Sequence, residues 1–187
     1  MFIPDWLPAF RIKLPLYDRF FTLHRQDYRR RMNNDRALRA IATTGLIVGV
    51  LDILSAFVIW WQRGVTLQRG LQGIASALLG AKSFEGGIAT AVLGLIIHFF
   101  IAFVVVSILY LASRKIRFLT TQPVVSGVLY GIGVYLVMYW IVLPSVFPTF
   151  RHRVSNELIE LAIHICLIGL PTAFLLRRYT GVTDQSS

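Results

Sequence analysis

The sequence predicts an all-α integral membrane protein, a four-helix bundle with a short interfacial or re-entrant helix between its first and second spans. Two observations of composition and pattern carry this. The 187 residues are 56% hydrophobic and only 15% charged, with a mean hydropathy of +0.65, whereas soluble domains are ~45–50% apolar and ~25% charged. The apolar residues also gather into four segments, about 41–61, 87–112, 124–147 and 158–176. At ~1.5 Å per residue each is long enough for a ~30 Å hydrocarbon core. Helix is the open-chain way to satisfy a backbone there.

Residues 1–40 form a separate basic region. Pro4, Pro8 and Pro15 make its start irregular, while Tyr17, Phe20, Phe21, His24 and Tyr28 recur at helical spacing among Arg19, Arg25, Arg29 and Arg30. A basic amphipathic helix of this kind would lie on an anionic lipid surface; the alternative is a solvated tail. Met32 offers a second start, in which case 1–31 would be an over-extended gene start, and the intact mass of the native protein decides this. No cleavable signal is expected, because the first long apolar run begins some 40 residues in and lacks a small-residue cleavage site.

The first span lies between Arg39 and Arg63 and carries one charge, Asp52. The 62–86 connection contains an apolar, small-residue stretch from Leu71 to Ala81 that is too short to cross; it is expected to cap the bundle, with a ligand- or pore-lining role as the alternative. Gly80, Gly86 and Gly87 would allow its return. The second span stops at Arg114, Lys115 and Arg117, the third is bracketed by Pro123 and Pro148, and the fourth contains Glu160 and His164 and ends at Arg177 and Arg178, followed by a short polar tail, 179–187. Trp60, Trp61, Tyr110, Tyr139, Trp140 and Tyr179 fall near span ends, where amphipathic rings sit at a membrane interface.

Charge sets the topology. The chain has 19 Lys and Arg against 9 Asp and Glu, a net charge of +10, but these charges border the spans and do not form one basic soluble face. Nucleic acid is therefore not an expected partner. Fourteen of the basic residues fall on the side of the two termini, in 1–40, the 113–123 loop and Arg177–Arg178. Five (Arg63, Arg69, Lys82, Arg151 and Arg153) fall on the other. The positive-inside rule places both termini in the cytoplasm of a bacterial inner membrane. The single cysteine, Cys166, cannot build an intrachain disulfide or a cysteine-rich metal site.

Small residues share faces with polar ones. Gly45, Gly49, Asp52 and Ala56 recur at helical spacing in the first span, and Gly87, Ala91, Gly94, His98 and Ala102 in the second. Gly127 and Gly131 form a GxxxG pair in the third. Small residues let helices approach closely, so Gly45, Gly49, Gly87, Gly94, Gly127 and Gly131 are candidate packing residues, and Asp52 and His98 should face inward. Counted along the spans, Asp52 and His98 lie near the midplane and His164 somewhat outward, so that with Glu160, four residues before His164 and able to pair with it, they form one candidate intramembrane polar locus. An ionisable residue in the bilayer costs ~2.5–3.5 kcal/mol and is by default a functional-site hypothesis. The plain alternative is a cross-helix hydrogen bond of ~0.6 kcal/mol.

The second span around Leu-Ile-Ile-His98-Phe-Phe-Ile-Ala-Phe, the basic turn after it, the third span ending in Leu143-Pro144, and the fourth running from Asn156-Glu157-Leu-Ile-Glu160 through His164 to Arg177-Arg178 resemble the YagU-like family of small bacterial inner-membrane proteins. The resemblance covers about residues 41–180; Asp52 and the 1–40 extension lie outside its pattern. It implies a multi-pass inner-membrane fold and weight on His98, Glu160 and His164, for a family with no established biochemical activity and only a loose label of acid resistance.

Three function classes follow. One is a small transporter or proton-handling protein using Asp52, His98, Glu160 and His164, since histidine titrates near neutrality and carboxylates relay protons. The second is a non-catalytic accessory or assembly subunit, bound to another membrane protein or to its own copies through the small-residue faces. The third is a b-type haem protein with His98 and His164 as axial ligands, although no cofactor or metal is the primary expectation. The sequence has no GxSxG, Walker, GxGxxG or HExxH motif. An intramembrane hydrolase built on Ser76, Ser83 or Ser107 is not expected, because serine also packs helices.

Overall fold

A computed structural model describes residues 15–147 and 154–180, with side chains from 33 to 147 and from 157 to 179. The chain divides into two compact units, Met1–Ala37 and Leu38–Ser187. Among the described residues there is no strand. Four helices are long and apolar enough to cross a membrane: Asn33–Gln62, Gly87–Ser113, Pro123–Val146 and Glu157–Tyr179, here called spans 1 to 4. This is an all-α, multi-pass membrane architecture.

The first helix is Pro15–Gln62, and no Gly or Pro lies between Pro15 and Gly45 to interrupt its ladder. The expected amphipathic face at Tyr17–Tyr28 lies outside the described side chains.

Between spans 1 and 2 sits the short helix Leu67–Leu79, with Thr66 as its N-cap accepting from the Arg69 amide at 3.3 Å. At its end Gly80 takes φ +59°, and Gly87 starts span 2 at φ +57°, a region only glycine enters cheaply. Gly87 had been expected to pack helices. A Cβ there would meet nothing within 4 Å, so its glycine serves the turn into span 2.

Each span shows lipid one face and the bundle the other. In span 2, Ile88, Val92, Ile96, Phe100, Val104, Ile108 and Leu111 are all exposed at spacings of three or four, while Ala91, Gly94, Ala102, Val106 and Leu109 are buried on the opposite side. An exposed apolar stripe of that length is what a hydrocarbon solvent requires and what water would not tolerate. One core joins all four spans through Val48, Val106, Val134 and Leu176.

Glycines set the closest crossings. Span 1 lies on span 2 where Gly45 faces Phe103 and Gly49 faces Phe99 and Ala102. The short helix crosses span 2 where a Cβ on Gly94 would fall on the Leu71 carbonyl. Spans 3 and 4 meet at three glycines: Gly127 against Gly169 and Leu170, and Gly131 against His164 and Ile165. These pairings make neighbouring spans antiparallel. Tyr130 completes the bundle by donating its hydroxyl to the Val105 carbonyl of span 2.

Spans 3 and 4 each contain a π-helical segment, Met138–Val142 and His164–Gly169. Each ends two residues before a proline, Pro144 or Pro171. A proline has no N–H for the carbonyl four residues earlier and its ring crowds that carbonyl. Widening the preceding turn relieves both problems, and such segments recur at functional sites.

Candidate functional site

Asp52, His98, Glu160 and His164, from three different spans, line one cavity of about 680 Å³. Its walls are largely apolar, including Ile53, Ile97, Val134 and Met138, and the short helix contributes Gly73, Ile74 and Ala77. The short helix is thus a wall of the cavity as well as a cap. Arg63 and Arg69 line the same cavity at the end of the bundle remote from Arg114 and Arg177. Arg63 is eleven residues past Asp52, so the cavity reaches about 16 Å along the helix axis toward Asp52.

His98 is fixed by the span 1 backbone. Because Gly49 carries no side chain, span 2 comes close enough for His98 Nε2–H to donate to the Gly49 carbonyl at 2.9 Å. A carbonyl only accepts, so the proton of a neutral His98 sits on Nε2. Its Nδ1 then faces Asp52 Oδ2 at 3.9 Å. An unprotonated imidazole nitrogen and an ionised carboxylate would oppose lone pairs across that gap. The two groups are thus adjacent without a direct hydrogen bond between them. Asp52 keeps 31% of its side-chain surface exposed and His98 only 11%, so the carboxylate is the member that meets the cavity.

His164 has the opposite tautomer. It is buried where the π-helical segment of span 4 begins, and its Nδ1–H donates to the Glu160 carbonyl one turn back at 2.7 Å. The Glu160 and His164 side chains were expected to pair directly; instead the imidazole takes the backbone oxygen, and the Glu160 carboxylate accepts from the Tyr139 hydroxyl. Tyr135 and Tyr139 stack at 4.9 Å, and both meet the His164 ring edge-on, at 5.8 and 5.9 Å. Both His98 and His164 lie close enough to Asp52 to interact with its charge. All four spans thus contribute to one polar array, span 3 through its tyrosines.

Tyr139 is the member the sequence reading missed, having been assigned to the membrane interface. Of the other aromatic residues expected at the interface, Trp61 and Trp140 are exposed, at 81% and 57%, whereas Trp60 packs over Gly70 and Tyr139 lines the cavity. The available signal was Pro144, whose widened turn rotates Tyr139 onto span 4.

The haem alternative meets an obstacle in this arrangement. Both ring nitrogens of His98 face protein groups, so an iron would have to displace the Gly49 carbonyl or the Asp52 carboxylate. No group of three or more His, Cys, Asp or Glu able to hold a metal occurs among the described residues.

Comparison with family models, curated proteins and solved structures finds no match for this chain. The fold and the site define its class, a multi-pass membrane protein with a polar array inside its bundle.

Proposed function

We propose that this protein is a small proton-linked transport protein of a bacterial inner membrane, with the cavity as its binding site and the His98–Asp52 pair as its proton carrier. The observation that supports this best is the facing of His98 Nδ1 and Asp52 Oδ2 on the wall of a cavity that extends to Arg63 and Arg69. A proton held there has acceptors along the same cavity, His164 Nε2 and the Tyr139–Glu160 pair. Carboxylates and histidines facing a bundle interior are the usual parts of such relays. The positive-inside bias turns the Arg63 and Arg69 end outward, and the resemblance to the YagU-like family gives the same membrane address.

The test is proton flux into liposomes carrying the purified protein and a trapped pH-sensitive dye. Flux in the wild type, reduced at least tenfold in His98→Ala and in Asp52→Asn, is the expected result. No flux under any imposed gradient would overturn the proposal. Co-purification of a defined membrane partner would then favour the accessory-subunit reading.

A further inference from the structure

We propose that the cavity binds a single-chain amphipathic anion, its charged head between Arg63 and Arg69 and its hydrocarbon chain along the apolar wall. This rests on reading the cavity as a binding site, and it names the class of ligand.

The cavity volume, about 680 Å³, falls within the ~300–1,000 Å³ of pockets that enclose small ligands. The distribution of its chemistry points to an amphipath. Beside the polar array the wall is aliphatic along Ile59, Ile74, Ile101 and Val142, a surface that favours a hydrocarbon chain over a fully hydrated solute. At the mouth, Arg63 and Arg69 are both exposed, and neither forms an ion pair with a described residue. Arg69 stacks on Phe84, its guanidinium carbon 4.1 Å from the ring centre. Stacking leaves the planar edge of a guanidinium free to donate two parallel hydrogen bonds to a carboxylate or phosphate. The Thr66 cap, which holds the Arg69 backbone, sets the base of that side chain. Asp52 faces His98 and Glu160 lies beside Tyr139, so among the charged side chains lining this cavity the two guanidiniums at its mouth are the groups placed to meet an anion.

Gly73 gives a clean way to close the site. It lines the cavity, and a Cβ on it would meet nothing within 4 Å. A Gly73→Trp side chain therefore has room at the cavity wall, and Gly73 is at none of the close helix crossings.

The experiment uses the full chain in nanodiscs of neutral phosphatidylcholine. The probe is cis-parinaric acid, a fluorescent long-chain carboxylate, with oleate, oleoyl lysophosphatidate and oleyl alcohol as competitors. Saturable binding is expected. The Arg63→Gln/Arg69→Gln double variant should weaken it at least tenfold, and Gly73→Trp should abolish it, with circular dichroism and elution volume unchanged in both. Displacement by oleate, by lysophosphatidate or by both supports the proposal and distinguishes a carboxylate from a phosphate head. Displacement by oleyl alcohol as effective as by oleate would overturn it. So would partition no greater than into empty nanodiscs, or full binding in both variants. The assay involves no gradient, so wild-type proton flux alongside failed binding removes this inference alone, while binding without flux removes the transport reading alone.

Discussion

The crossing of spans 3 and 4 allows a magnitude to be worked for one substitution and checked against a control two residues away. A Cβ on Gly131 would sit 2.6 Å from both the His164 carbonyl oxygen and Ile165 Cα. Carbon atoms rest at ~3.5–4.0 Å, so Gly131→Ala forces span 4 back by about 1 Å, because the obstacle is backbone and cannot rotate away. A gap of that size forfeits up to about half of each ~0.1–0.2 kcal/mol contact along the crossing, and overpacking of this kind costs ~1–3 kcal/mol in total. Alanine's better helix propensity returns up to ~1 kcal/mol. The net expectation is a loss of ~1–2 kcal/mol, roughly 5–30-fold in the folding equilibrium. Gly133 is exposed in the same span and has nothing within 4 Å, so Gly133→Ala keeps only the propensity gain and should be neutral or slightly stabilising. Equilibrium unfolding in mixtures of mild detergent and SDS, followed by tryptophan fluorescence, measures both. If Gly131→Ala proves as stable as Gly133→Ala, spans 3 and 4 do not meet at this glycine, and the seating of His164 against Tyr135 and Tyr139 fails with it.

Three further substitutions probe the array and its supports. His98→Phe leaves the Gly49 carbonyl without its side-chain donor, which should cost ~1–3 kcal/mol in the same assay as well as eliminating proton flux; a variant with full flux would refute the proton-carrier assignment. Pro171→Ala restores a backbone donor at the end of the widened turn, so the helix should gain up to ~3 kcal/mol while His164 shifts relative to Tyr139, read as a change in the His164 ring signals by NMR; unchanged signals would show that the proline does not set the ring position. Gln72 donates to the Gly87 carbonyl at 3.0 Å and reaches Thr90 Oγ1 at 3.4 Å, so Gln72→Leu should destabilise by ~1–3 kcal/mol, and retention of wild-type stability would show that the short helix is held by its apolar contacts alone.

The fold was legible in the sequence because a bilayer leaves few choices: length, hydropathy and helical spacing decide which segments cross. The faces were legible for the same reason, and Gly45, Gly49, Gly94, Gly127 and Gly131 all lie at close helix crossings. Gly87 differed because sequence spacing cannot tell a glycine needed for a neighbour's approach from one needed for its own φ. Gly169, which meets both Gly127 and Gly131, pairs at helical spacing with Ala173, but Pro171 between them obscures the pattern. Asp52, His98, Glu160 and His164 line one cavity. Their partners were hidden: the His164 bond to the Glu160 carbonyl and the inward turn of Tyr139 depend on two widened turns, and a uniform 3.6-residue period misplaces every side chain beyond them.

The geometry of the array bears on whether its polar residues merely hold helices together. Cross-helix hydrogen bonds in membranes contribute ~0.6 kcal/mol on average, against ~2.5–3.5 kcal/mol for placing an ionisable side chain at the centre of a span. Glue of that kind is best made by a neutral residue that closes its bond completely, as Tyr130 does with the Val105 carbonyl. His98 and His164 each spend one nitrogen in that way, on Gly49 and Glu160. Among the described residues, their second nitrogens and the Asp52 carboxylate have no such closure. The His98–Asp52 separation of 3.9 Å exceeds the ~2.7–3.2 Å of a formed hydrogen bond, and Asp52 remains partly open to the cavity. Glue alone leaves that open carboxylate unexplained, whereas the proposed proton-carrier role uses it, and the liposome experiment on His98→Ala and Asp52→Asn separates the two.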